Sequence, residues 1–242
     1  MKDHRFNITG PDGLEFPVSF RVNTRAKRLI LRIDPKTGMP VITAPSTRHL
    51  KSAEKFVKAK AGWLEAQLAT QPVRTDFQPG IELPVEGVPH TLVCSGRSGR
   101  TRQIEGPPAQ LDSPGADVTY GDRVQRYLRL KAKAALMERV DVHAERLAVD
   151  PQRITIRDTR SRWGSCSSKG HLNFSWRLIL APPGILDYVA AHEVAHLIEM
   201  NHSADFWALV EKSYGPHKAA RKWLKEHGGR LHLYGTTGSA GG

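Results

Sequence analysis

The chain has 242 residues, enough for one large or two small domains with a sizeable core. Its 36 Lys and Arg against 24 Asp and Glu leave a formal charge of +12, a positive potential that attracts anions such as nucleic acid or nucleotides. Two cysteines, Cys94 and Cys166, are too few for a disulfide framework or a thiolate metal cluster, and the opening MKDHRF has no apolar leader, so a reducing cytoplasm is expected.

Residues 5–45 read as strands: Leu14 to Val22 and Arg28 to Ile33 alternate in part, and Met39 to Thr43 is a short run between Gly38 and Pro45. Ser46 is placed to cap a helix reaching about Gln71, with Leu50, Phe56 or Val57, and Leu64 inward and lysines outward. The basic residues concentrate here, eleven between Arg21 and Lys60 against Asp34 and Glu54. Arg25, Lys27, Arg28, Lys51, Lys55 and Lys58 form the candidate surface for non-specific nucleic acid, with solvated faces as the plainer account.

Gln78-Pro-Gly breaks the chain, and Ile81 to Val93 reads as a hairpin turning near Glu86 and Gly87. Ser95 to Gly115 is rich in Gly, Ser, Arg and Pro and reads as a mobile connection with one short strand near Gln103. The longest helix is expected from Asp122 to about Val149, its apolar face built by Val124, Tyr127, Leu128, Leu130, Ala134, Leu136, Val140 and Leu147. A strand at Ile154 to Ile156, a polar loop, and a second strand from His171 to Leu180 follow. Asn173 and Ser175 alternate with Leu172, Phe174 and Trp176, so this second strand is expected to be a free sheet edge beside the site, able to pair with an extended substrate.

The stretch DYVAAHEVAHLIEMNH, residues 187–202, carries the chemistry. On a helix His192 and His196 are one turn apart on one face, so both imidazoles reach one metal ion. Glu193 lies beside them, placed to take a proton from water that the metal activates, the arrangement of a zinc hydrolase helix. Ile185, Val189 and Glu199 share the histidines' face, while Leu186, Ala190, Val194, Leu197 and Ile198 cover the back. His202 is the preferred third ligand after a turn near Met200 and Asn201, and Glu199 is its rival. Three protein ligands leave one zinc position open, the mark of a catalytic site. Leu178 to Ile198 matches a membrane span in length but holds Asp187, Glu193 and two histidines, so no membrane contact is expected. After the site, Ala204 to Tyr214 and His217 to His227 read as short helices packing Phe206, Trp207, Val210, Trp223 and Leu224.

The sequence RSRWGSCSSKGHLNFSWRLILAPPGILDYVAAHEVAHLIEMNHSADFW resembles the signature of YgjP-like zinc metallopeptidases, which are similar in turn to SprT-like and minigluzincin-type zincins. The resemblance is specific from about Arg157 to Trp223 and looser over the basic N-terminal half. It implies an α+β zincin-like domain, zinc on His192, His196 and His202, Glu193 as general base, and peptide or protein substrates. The ligand spacing also equals that of metzincins, but Glu199 stands where their glycine would be and no Met-turn follows. The expected organisation is a basic β-rich region over 1–115, a metallopeptidase domain over 116–234 and a flexible tail over 235–242.

Two other functions compete. One is a metal-dependent nucleotide phosphoanhydride hydrolase drawn by the basic surface, which three nitrogen ligands disfavour because magnesium prefers oxygen. The other is a nucleic-acid-binding protein with a structural zinc, against which Glu193 and the open coordination position argue. Near the motif, Cys166 reads as a structural thiol. Arg160, Arg162 and Trp163 could line the cleft, and His171, His217, His227 and His232 read as surface histidines.

Overall fold

The computed structural model describes residues 4–13, 15–34, 38–69, 75–159 and 162–235; Leu14, Gln71, Arg160 and the tail from 236 onward lie outside them. The chain forms two compact units, Met1–Pro72 and Val73–Gly242. The boundary expected at 115/116 therefore falls inside the second unit, because the strands before it pack into that unit's core.

The first unit is a four-stranded sheet in the order β1 (His4–Thr9), β2 (Glu15–Val22), β4 (Pro40–Ala44), β3 (Ile30–Ile33). Phe16, Val18 and Phe20 alternate inward from β2 and meet Ala53, Val57 and Leu64 of helices α1 (Leu50–Ala59) and α2 (Ala61–Ala69). The single expected helix is broken at Lys60, whose backbone leaves helical geometry (φ −109°, ψ 11°). Ser46 does not cap a backbone amide; its Oγ pairs with His49 Nδ1 at 3.0 Å, ahead of a 3-10 turn at Thr47–His49. Val57 is wholly buried and Phe56 is 37% exposed, so Val57 is the inward residue.

The second unit opens with the expected hairpin, β5 (Glu82–Val85) and β6 (Val88–Val93). Glu86 and Gly87 both take positive φ (53° and 78°), the conformation that a two-residue turn between twisted strands requires. The connection expected to be mobile contributes β7 (Arg102–Ile104) and β8 (Gln110–Asp112), giving the order β5-β6-β8-β7. Buried Asp112 anchors it, accepting from Ser95 N at 3.0 Å and Oγ at 2.7 Å and pairing with Arg102 at 3.4 Å.

Helix α3 (Tyr120–Leu147) buries a row at strict four-residue spacing, Val124, Leu128, Ala132, Leu136, Val140 and Ala144. Leu130 is 63% exposed and Ala134 is also on the solvent side, since neither falls on that row. The helix ends at left-handed Ala148 (φ 53°), before Pro151 is reached.

A three-stranded sheet follows, in the order β10 (Gly164–Cys166), β11 (His171–Ser175), β9 (Arg153–Arg157). This corrects the expected free edge. β11 is the central strand, antiparallel to β10 and parallel to β9, because the β10–β11 hairpin joins β9 through its second strand. Nor does β11 continue to Leu180; residues Trp176–Leu180 form a buried 3-10 turn. Then come α4 (Pro183–Ala195), α5 (Ala204–Tyr214) and α6 (Lys218–Leu231), with α4 set among α3, α5, α6 and β10. The span-length stretch from Leu178 thus divides into turn, loop and α4, and among the described residues no helix is long and apolar enough to cross a membrane.

One polar clamp ties α4 to its neighbours. Fully buried His143 of α3 shares Nε2 with Asp187 Oδ1 at 2.8 Å and Nδ1 with Ser213 Oγ of α5 at 2.7 Å, and Arg139 also donates to Asp187. Burial pushes the Asp187 pKa up, but hydrogen bonds from His143 and Arg139 outweigh it and hold the carboxyl below its ordinary value. Asp187→Asn should cost about 2 kcal/mol, the scale of a hydrogen bond to a charged group. Because the folded pKa is depressed, this stability is present above the unfolded value and is lost as pH falls through the folded one. Urea denaturation of both proteins checks it: the difference at neutral pH should shrink on acidification.

Candidate metal centre

Helix α4 ends where the ligands begin. His192 lies in its last turn, and His196 follows Ala195 as the C-cap (φ −66°, ψ −13°). The chain turns there, with Ile198 N and Glu199 N both on Ala195 O at 3.1 Å, earlier than the expected turn at Met200 and Asn201. His196 Nδ1 donates to the Glu199 carbonyl at 2.9 Å, which fixes the tautomer and leaves Nε2 free to bind a metal. Glu199 thus acts through its backbone, and its side chain accepts from Asn201 N at 3.4 Å.

His202 returns to the cluster because α5 starts immediately after it. Ser203 is the N-cap of α5, its Oγ accepting from Phe206 N at 3.2 Å. The ligand atoms of His192, His196 and His202 lie within 4.8 Å of one another, and Glu199 is not among them. His192 and His202 face each other Nε2 to Nε2 at 3.1 Å. Two nitrogens on one tetrahedral zinc at its usual bond lengths are separated by about 3.3 Å, so the donor set and its spacing fit that ion.

Phe206 is the floor of the cluster. Its ring centroid is 4.4 Å from that of His196 and 4.8 Å from those of His192 and His202. Burial pushes the His192 pKa down to about 3, with His196 and His202 adding to the effect, and lowers that of His196. At neutral pH those two rings are therefore neutral, the form that binds metal.

Glu193 is 5% exposed and points at β10. A Cβ added to Gly164 would lie 2.5 Å from Glu193 Cγ and Oε1, so the strand can approach the helix only because residue 164 has no side chain. Burial pushes the Glu193 pKa up to about 8, against a smaller lowering by Arg162. Arg162 lies two residues before the start of β10, with a bend at Trp163 between them, and its positive charge acts on the carboxyl. Trp163 faces elsewhere, stacked on His232 at 4.6 Å with Gly228 beneath it. Burial pushes the Cys166 thiol up to about 11, with Glu193 adding to it, so it stays protonated and unreactive near neutrality.

Sequence reasoning missed two further groups. Gly164 had a signal, an isolated glycine in a short strand, which marks close backbone approach. His217 was expected at the surface but stacks on Trp207 at 4.7 Å, and the Arg221 guanidinium sits 4.9 Å from the same indole. Trp207 is itself 5.9 Å from His192 and 5.8 Å from His202, so α6 and its N-cap residue His217 place a cation and an imidazole on the indole that adjoins the cluster. No spacing rule links residues 217 and 221 to the motif; tertiary packing alone brings them there.

The sequence profile of the YgjP-like metallopeptidase domain matches residues 27–227. No curated protein sequence matches the chain. Among solved structures, the crystal structure of the metallopeptidase zymogen of Pyrococcus abyssi abylysin is similar over 42% of this chain and 99% of that one, at 20% identity and a TM-score of 0.36.

Gly164→Ala should swing the Glu193 carboxyl away from β10 towards water. Its pKa should then fall from about 8 towards the ordinary carboxylate range, as carbon NMR of the side chain would show. The three imidazoles should still gather as candidate ligands, because the substitution touches none of them. An unmoved carboxyl titration would contradict the contact.

Proposed function

The chain belongs to the YgjP-like metallopeptidase family, and on that premise we propose that it is a zinc-dependent peptidase with His192, His196 and His202 as ligands and Glu193 as general base. The observation that carries this reading is the trio of imidazoles, two of them with Nε2 atoms 3.1 Å apart, beside a buried carboxyl on the same helix. A zinc ion held there supplies Lewis-acid polarisation of the scissile carbonyl and lowers the pKa of water to about 7. Glu193 takes the proton of the attacking water and delivers it to the leaving amine. Its burial suits both halves of the cycle, because a carboxyl with a raised pKa holds a proton near neutrality, while nearby positive charge favours its release.

The substrate backbone needs a template, and β10 supplies the edge that central β11 lacks. β10 pairs with β11 on one side, and among the described residues no strand pairs on the other. Glu193 packs on the face of this short edge strand, where a side chain at Gly164 would stand, so an extended peptide added alongside β10 would run near the base. The nucleotide-hydrolase alternative gains nothing from a donor set made entirely of nitrogen.

Three measurements test the reading. Glu193→Gln should keep its zinc and lose about 10²- to 10⁴-fold in peptide hydrolysis, because an amide cannot accept the water's proton. His202→Ala should lower zinc affinity more than about 100-fold, whereas Glu199→Gln should stay close to wild type because the backbone carbonyl, not the carboxylate, orients His196. Hydrolysis should rise steeply from dipeptides to peptides of about six residues as main-chain hydrogen bonds to β10 accumulate. Undiminished turnover by Glu193→Gln would remove the mechanism, and length-independent turnover would remove the template.

A further inference from the structure

The first unit holds a concave feature built from residues other than those of the histidine cluster. Strand β3 alternates, sending Leu31 and Ile33 to the helix-covered core and Ile30 and Arg32 to the opposite face of the sheet. The loop before it is pinned by Asn23, whose N donates to Ala44 O at 2.9 Å and whose Oδ1 accepts from Arg25 N at 3.0 Å. Together they bound a cleft of about 630 Å³ lined by Asn23, Arg25, Lys27, Arg28, Ile30 and Arg32, with Thr43 beside Ile30.

Among the described residues, four cations line this cleft and no carboxylate does. The neighbouring acid, Asp34, is 3.5 Å from Arg21. Such a concentration of one sign repels itself and is stabilised by a ligand carrying several negative charges. The volume is too large for a lone phosphate to fill, and the cleft is open, as a through-running chain requires. Ile30 lies among the cations 43% exposed, an apolar surface suited to a ribose or an unstacked base. Guanidinium planes offer both phosphate hydrogen bonds and stacking on bases. A duplex, with its bases inside, would leave Ile30 without a partner.

We propose that this cleft binds the phosphodiester backbone of single-stranded nucleic acid, without sequence preference, through Arg25, Lys27, Arg28 and Arg32. The cleft is built from residues of the first unit, whereas the histidine cluster belongs to the second. Lys51, Lys55 and Lys58 belong to α1, which covers the other face of the sheet, so they lie outside it.

That separation supplies the test. Full-length zinc-loaded protein is titrated against a labelled single-stranded oligonucleotide of about 12 bases, with anisotropy followed between about 50 and 200 mM salt. Four phosphate contacts should give a log–log slope of about −2.8. Arg25→Gln/Lys27→Gln/Arg28→Gln should reduce it to about −0.7 and weaken binding more than about tenfold, whereas Lys51→Gln/Lys55→Gln/Lys58→Gln, with the same change in net charge, should leave the slope near wild type. If the first variant fails to fold by circular dichroism, Arg32→Gln alone should cut the slope by about 0.7. Equal losses in the two triple variants, or no association at the lowest salt, would overturn the site. Equal competition by polyglutamate or by duplex of matched charge would overturn the ligand assignment.

Discussion

Desolvation of an imidazole cluster is the constraint on which the second unit depends. Three histidines gathered within a few ångströms must remain neutral, or their mutual repulsion would open the site. Burial on Phe206 ensures this for His192 and His196 by making the charged form costly. The cost of placing polar rings there is borne by packing elsewhere: Ile185, Leu186, Val189, Ala190 and Val194 are all buried around the same helix. A helix buried on nearly every side has one orientation, so the histidines inherit theirs from the core rather than from one another. Asp187 then locks the register of α4 against α3 and α5 with hydrogen bonds instead of apolar contact.

The same helix sets two neighbouring chemistries in one environment. His192 and Glu193 are adjacent in sequence, and burial shifts their pKa values in opposite directions towards the same neutral state. It makes the histidine neutral by lowering its pKa and the carboxyl neutral by raising its pKa. A neutral imidazole is a ligand, whereas a neutral carboxyl is an acid waiting for a positive charge to ionise it. A dication on the three imidazoles would supply that charge, with Arg162 acting in the same direction. Metal binding there would in this way be coupled to the protonation of Glu193 through their shared environment.

The gathering of His192, His196 and His202 was legible in the sequence because its determinants are local. One helical turn separates His192 from His196, and the cap at Ser203 comes one residue after His202. The Glu86–Gly87 turn was legible for the same reason, since two positive φ angles restrict residue choice. What failed was non-local. Alternation along residues 171–176 tells which side chains face the core, but an edge strand and a central strand alternate alike. β11 is central because β9, arriving from before the loop, pairs with it in parallel. The order in 95–115 was missed because its anchor, Asp112, looks like any loop aspartate until Ser95 and Arg102 converge on it. Composition likewise placed a boundary near 115, whereas Leu92 and Leu111 are core residues of the second unit.

Net charge shows the same distinction at larger scale. Eleven basic residues between Arg21 and Lys60 read as one surface when summed along the sequence. In the fold the described ones fall on both sides of a sheet, because period-two alternation in β3 sends Arg32 to the face away from α1 while period-3.6 spacing keeps Lys51, Lys55 and Lys58 on the helix exterior. The two groups differ in curvature as well as position. Lysines on a convex helix remain hydrated and free to separate, so their repulsion is small and screened over about 10 Å at ordinary salt. The cations around the cleft are carried by a pinned loop and a strand, so the backbone keeps them about one concavity, where their fields add. Equal charge therefore has unequal consequences, and the backbone geometry, not the sum, decides which group can select a ligand.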